Sequence, residues 1–232
     1  MKSIKTFSIA LVSLFLLGGC ELNELDNYDG PDASISGAIY DQETGELVQQ
    51  DIINGMQIEY IEHGFDNPQT QFMVVKNDGT YRNNLMFSGT YTIRPVRGNF
   101  VPVNSEEVVV SGATTKNFNV QPYIRVRNVQ INKKGNKIVA TFNLDQTVTN
   151  KVVRIGLFAH REPNVGQPLN SVSSLVNLNE VTNDVTQYRL EINLDAYTSA
   201  LKAGNEYYFR VGALIDAPEA KYNYAPPVRI GI

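Results

Sequence analysis

The sequence predicts an all-β chain, two tandem β-sandwich domains behind a secretory leader. Three observations point there. Short runs rich in Val, Ile, Thr, Tyr and Phe recur at the spacing of sandwich strands and are punctuated by Gly, Asn and Asp turn residues. Pro122 interrupts the pattern midway, and a new alternating run begins at Tyr123. The 232 residues include one cysteine and no tryptophan, so each domain must stand on its apolar core without a disulfide.

Lys2 and Lys5 give the leader a basic start, Phe7 to Leu17 an apolar core too short to span a bilayer, and Gly18-Gly19 a small-residue cleavage site. Cys20 follows directly. Leu17-Gly18-Gly19-Cys20 resembles the bacterial lipobox, in which the thiol is acylated and the cysteine becomes the mature N-terminus. The resemblance implies a signal peptide over residues 1–19 and a lipoprotein held to a membrane through Cys20 by acyl chains such as palmitate. Each buried methylene contributes about 0.8 kcal/mol, so two or more chains anchor a soluble domain stably. Residues 20–32 then read as the lipidated cysteine and a flexible tether, polar and without periodicity, carrying Glu21, Glu24, Asp26 and Asp29. Acidic residues just after Cys20 resemble the signal that sends Bacteroidetes lipoproteins to the outer face of the outer membrane. On charge patterning alone, a solvated linker fits equally well.

The whole chain carries 24 acids against 20 bases, a formal charge of −4, and the leader holds two of those lysines and no acid. The mature protein is therefore more acidic still. Nucleic acid is not an expected partner, because phosphate binding needs a concentrated basic surface.

Residues 33–121 form the first expected sandwich. Ile35 to Asp41 alternates as a strand, and Glu43-Thr44-Gly45-Glu46 turns it back. Asn77-Asp78-Gly79-Thr80 supplies a tight turn with Gly79 free to take positive φ, and Ser88-Gly89-Thr90 turns the chain before the strand Tyr91 to Arg94. The words Gly37-x-Ile39-x-Asp41-x-x-Thr44-Gly45, Asn77 to Tyr81 and Ser88 to Tyr91 resemble the transthyretin-like, or carboxypeptidase regulatory-like, domain. That family usually has proline after the Thr-Gly turn, where this chain has Glu46. The resemblance implies a fold and no chemistry, since its residues are turn formers and core positions.

Residues 122–232 form the second, hinged at Gln121-Pro122, with strands over Lys137–Leu144, Lys151–Ala159 and Gln187–Leu194. Asp195 to Lys202 reads as one or two helical turns stopped by Gly204. Leu201 to Val211 is similar to the segment of fibronectin type III and immunoglobulin-like domains that carries a tyrosine corner, which implies a structural Tyr207. Those domains usually place a tryptophan on strand B; Phe142 stands in for it here.

Both halves together resemble a family of two-domain Bacteroidetes lipoproteins found beside outer-membrane glycan-import pairs of the starch-utilisation type. Asp26 to Pro31, Gly98 to Val103 and Val120 to Val126 carry the likeness. It implies a surface-facing place in polysaccharide capture, with polysaccharide and outer-membrane import proteins as partners.

The residues offer little catalytic chemistry. His63 and His160 stand in different domains, with neither His-Glu-x-x-His nor a cysteine cluster to make a metal site. No Gly-x-Ser-x-Gly elbow or phosphate loop is present, and the segment at Asp26 to Gly30 lacks the alternate oxygens and closing glutamate of a calcium loop. The terminal Tyr-Arg-Gly-Ser word of the transthyretin-like hydrolase is missing. A glycosidase needs two carboxylates about 5–10 Å apart, a pair that sequence does not exclude. The reading is a non-enzyme without cofactor or metal.

Sugar binding uses exposed aromatic faces beside amide and carboxylate groups. Tyr222-Asn223-Tyr224, following Asp216 and Lys221 in the expected loop between the last two strands, is the leading ligand-binding candidate. His63, Phe65, Asp66 and Asn67 form a second group. For the tyrosines a packing role near strand ends is the alternative. For the molecule, it is a structural or adhesion module contacting a protein partner.

Overall fold

The computed structural model describes residues 29–232. Cys20 and the acidic residues up to Asp26 lie outside them. The first half holds β1 (Ala33–Asp41), β2 (Gln57–Glu62), β3 (Thr70–Val74), β4 (Thr80–Met86), β5 (Gly89–Val96), β6 (Glu106–Val110), β7 (Ala113–Thr115) and β8 (Phe118–Val120). One sheet runs β3-β2-β5-β6. The other runs β4-β1-β7, and β8 joins β1 in parallel. Side chains alternate across each strand, so Ile35 and Ile39 of β1 face the same interior as Ile58, Tyr91 and Ile93 of the opposite sheet.

The second half holds β9 (Ile124–Lys134), β10 (Lys137–Gln146), β11 (Val152–His160), β12 (Val172–Glu180), β13 (Gln187–Asn193), β14 (Glu206–Ile215), β15 (Asn223–Tyr224) and β16 (Val228–Gly231). Its sheets run β13-β10-β9 and β12-β11-β14-β15, with β16 also on β14. Phe142 is fully buried in this core and stacks on Tyr188, the central position expected of it as the tryptophan substitute. The Tyr207 hydroxyl accepts the Lys202 N–H at 2.9 Å, which closes the tyrosine corner.

Gly45 and Gly79 both take positive φ, and Gly79 also sits where a Cβ would meet the Val48 carbonyl oxygen at 2.6 Å. Ser88 makes the bend before β5, but Gly89 opens the strand itself and stays out of the left-handed region. The helical stretch expected at residues 195–202 shortens to a single 3-10 turn, Leu194–Tyr197, capped by Asn193. Leu194 N–H is drawn to the Asn136 carbonyl, and after Tyr197 the chain continues in turns, with Ala200 and Leu201 N–H both donating to the Tyr197 carbonyl.

Gln121-Pro122 is tied down. Phe100 bridges Pro122, Val101 N–H donates to the Gln121 carbonyl and Tyr123 N–H to that of Asn99. Residues 31–232 accordingly form one compact unit in which two cores meet at a third, smaller cluster of Phe158, Val165, Tyr222 and Tyr224.

Candidate functional site

The leading aromatic candidates occupy that third cluster. Tyr222, Asn223 and Tyr224 are 5%, 3% and 7% exposed. The expected open platform is therefore corrected: neither ring offers a free face to a sugar. Tyr222 and Tyr224 stack on each other at 5.6 Å, and the Phe158 ring meets both edge-on. Asn223 Nδ2 donates to the Asn99 carbonyl, and Asn99 Nδ2 donates to the Tyr222 carbonyl. Asp216 is exposed and its carbonyl accepts from Asn150, while Lys221 is half-buried and lines a cleft together with Arg97.

Arg210 explains why the tyrosines are drawn inward. It points from β14 into the boundary between the sandwiches with no exposed surface. A guanidinium has five N–H donors, and here all five are used. Nε reaches the Ala225 carbonyl, Nη1 those of Gln50 and Val165, and Nη2 the Gln49 side chain and the Asn77 carbonyl, at 2.8–3.2 Å. The Tyr224 ring lies 4.2 Å from its central carbon, a cation–π contact shielded from water. Burial lowers the Arg210 pKa to about 10.

Tyr224 Oη accepts the Gln167 N–H and donates to Asp51 Oδ2 at 2.9 Å. Burial lifts the Asp51 carboxyl to about 6, against the pull of Tyr224, Arg210 and Lys221. Gly166 is required beside it, because a Cβ there would meet Asp51 Oδ1 at 2.0 Å. A second tie is Arg125 of β9, which hydrogen-bonds Asp41 of β1 and also pairs with Glu43 and Asp145. The Asp41 bond raises the Arg125 pKa. This constellation joins two domains, and its charged groups are engaged by one another and by backbone carbonyls.

Open surface lies next to it, on either side of Arg97. A cleft of about 200 Å³ is lined by Arg97, Phe100, Pro102, Tyr123, Pro218 and Glu219. A larger one of about 520 Å³ is lined by Asn54, Met56, Gln57, Val74, Arg97 and Lys221, among others. Arg97 directly follows β5 in the left-handed region at φ 55°, a conformation that costs a non-glycine residue about 1 kcal/mol or more. Of the five non-glycine residues with positive φ among the described residues, three, Asn54, Arg97 and Glu219, line these clefts. The strained backbone aims the guanidinium 5.3 Å from the centre of the Phe72 ring, which is 41% exposed on edge strand β3. Arg97 Nη1 donates to Gln57 Oε1, and Nε lies 3.5 Å from Glu219. An exposed aromatic face, amides and charged groups thus meet in one open place.

The second predicted group is exposed, with Phe65 63% accessible in the loop between β2 and β3 and His63 Nε2 2.7 Å from Thr92 Oγ1. His160 Nδ1 accepts the Glu162 N–H. Among the described residues, no group of three or more His, Cys, Asp or Glu side chains could hold a metal ion. Arg97 and Phe72 escaped the sequence reading. Gly98 to Val103, noted there only as a shared word, contains Asn99, whose side chain bonds both halves, and directly follows Arg97.

Residues 33–121 match the N-terminal domain of DUF3823, described as a protein of unknown function, and residues 124–229 match DUF3823_C, a domain of unknown function. A crystal structure from Bacteroides uniformis, described as that of a candidate carbohydrate binding protein, is 39% identical with a TM-score of 0.81, covering 88% of this chain and 100% of that one. DUF3823 family structures from Parabacteroides merdae and Bacteroides uniformis share the fold at 23% and 20% identity, with TM-scores of 0.76 and 0.74; each comparison covers 87% of this chain and 100% of the other. No curated protein matches the chain. With both halves matched in order and a relative at this identity spanned over its full length, the chain belongs to the DUF3823 family.

Proposed function

We propose that this protein is a non-enzymatic, lipid-anchored accessory protein on the outer face of the outer membrane, which binds polysaccharide for an import system. The observation that carries the binding step is the open surface around Arg97, where the exposed Phe72 ring, the Gln57 and Asn54 amides and flanking clefts meet. Sugar rings pack their apolar faces on aromatic or aliphatic surface while polar groups fix orientation. The description of the Bacteroides uniformis relative supports the same reading. The anchor rests on the lipobox-like Leu17 to Cys20, and the surface address on the acids that follow. Native affinity electrophoresis of the purified protein through gels containing plant, host and microbial polysaccharides is the test. Retardation by at least one glycan is expected, and free migration through all of them would remove the binding claim.

A second reading is favoured by the Arg210 boundary, which fixes one sandwich against the other as a rigid spacer would need. It predicts co-purification of an outer-membrane protein and no glycan retention.

A further inference from the structure

We infer that the larger cleft beside Arg97 is a binding site for an anionic saccharide, one bearing carboxylate or sulfate groups, with Arg97 and Lys221 recognising the charge. The inference rests on the carbohydrate-binding reading above and names the ligand class of that site. The cleft is lined by both cations and by no acidic side chain. On a chain of net charge −4 such a concentration is local rather than a consequence of bulk charge. Its volume, about 520 Å³, lies in the range of small-ligand sites.

The two cations are available. Lys221 forms no ion pair among the described residues, and the nearby Asp51 is buried and receives the Tyr224 hydroxyl. Glu219 faces Arg97 at 3.5 Å, but both side chains are half or more exposed, and a pair of that kind is weak and exchangeable. A planar guanidinium offers two parallel donors to a carboxylate or sulfate, which a glutamate at that distance does not fully engage. Asn54 and Gln57 add amide groups suited to hydroxyls, and the exposed Val74 side chain supplies apolar surface. The left-handed backbone at Arg97 is the independent sign that this guanidinium is held in place at a conformational cost.

The test uses matched polymers in native affinity gels with the purified full chain: dextran sulfate against dextran, and polygalacturonate against neutral galactan. Retention by dextran sulfate or polygalacturonate, and at least tenfold weaker or no retention by the neutral partner, is expected. The two acidic arms distinguish a sulfate from a carboxylate ligand. Arg97→Gly removes the guanidinium while suiting the positive φ, so it keeps the fold, and Lys221→Gln removes the second cation. Each should weaken acidic retention about tenfold or more, whereas Lys134→Gln, on the distant β9–β10 hairpin, should leave it unchanged. Equal retention by neutral and acidic polymers, unaltered by the variants, overturns the ligand class and leaves carbohydrate binding standing. Acidic retention undiminished in both cleft variants overturns the site. Free migration through every gel overturns this inference together with the reading beneath it.

Discussion

Asp51 is a carboxyl whose environment works against its charge. Its folded pKa is about 6, against 3.8 ordinarily, because burial outweighs the Tyr224 hydroxyl and the nearby cations. Between about pH 4 and pH 6 the folded state keeps a proton that the unfolded chain has released, so this group's contribution to stability falls as pH rises through that window. At neutral pH the deficit approaches about 3 kcal/mol. Asp51→Asn should therefore be more stable than the parent protein near pH 7.5, and the difference should shrink towards pH 4, as read by urea denaturation at several pH values. A constant difference across that range would show that the carboxyl does not titrate there. None of this was legible in the sequence, where Asp51 is one acid among 24. Its pKa depends on Tyr224 and Arg210, residues far away along the chain.

At the scale of elements, strands and turns were largely legible because their signals are local. Alternation marked β1, β10 and β13, and the Asn77-Asp78-Gly79 turn needed only a glycine able to take positive φ. The Leu201 to Tyr208 segment carried its own geometry. Tyr207→Phe should cost about 1–2 kcal/mol in chemical denaturation by leaving the Lys202 N–H without its partner, and an unchanged midpoint would mean that water replaces the hydroxyl. The failure came at β15, where Tyr222-Asn223-Tyr224 follows a loop of polar and small residues and looks like an exposed loop tip. Two short bridges to Gly212 and Ala213 of β14 turn it into a strand whose Tyr224 ring covers Arg210. Likewise Phe72 alternates with the buried Met73, and only the packing of the opposite face of this sheet into the core leaves the Phe72 ring on the outer face.

At the scale of the molecule, Arg210 is the contact on which the boundary depends. Removing it leaves buried carbonyls without donors and deprives Asp51 of a compensating charge, so Arg210→Ala should cost about 3–5 kcal/mol. Scanning calorimetry of the parent should show one cooperative transition, and the variant should separate into two as the sandwiches uncouple. A single transition at lower temperature would place the coupling in the Asn99 and Arg125 contacts instead. The sequence by itself determined the all-β class, the strand runs and the turns at Gly45 and Gly79, because each is decided by steric and hydrogen-bonding preferences within a few residues, while the tyrosine corner followed from the resemblance of Leu201 to Val211 to the fibronectin type III segment. Only the tertiary structure decided which aromatics are open and which charges are buried. Those outcomes depend on the boundary between two sandwiches, where Arg210 finds acceptors from Gln50, Asn77 and Val165 and where Arg97 is left facing a cleft.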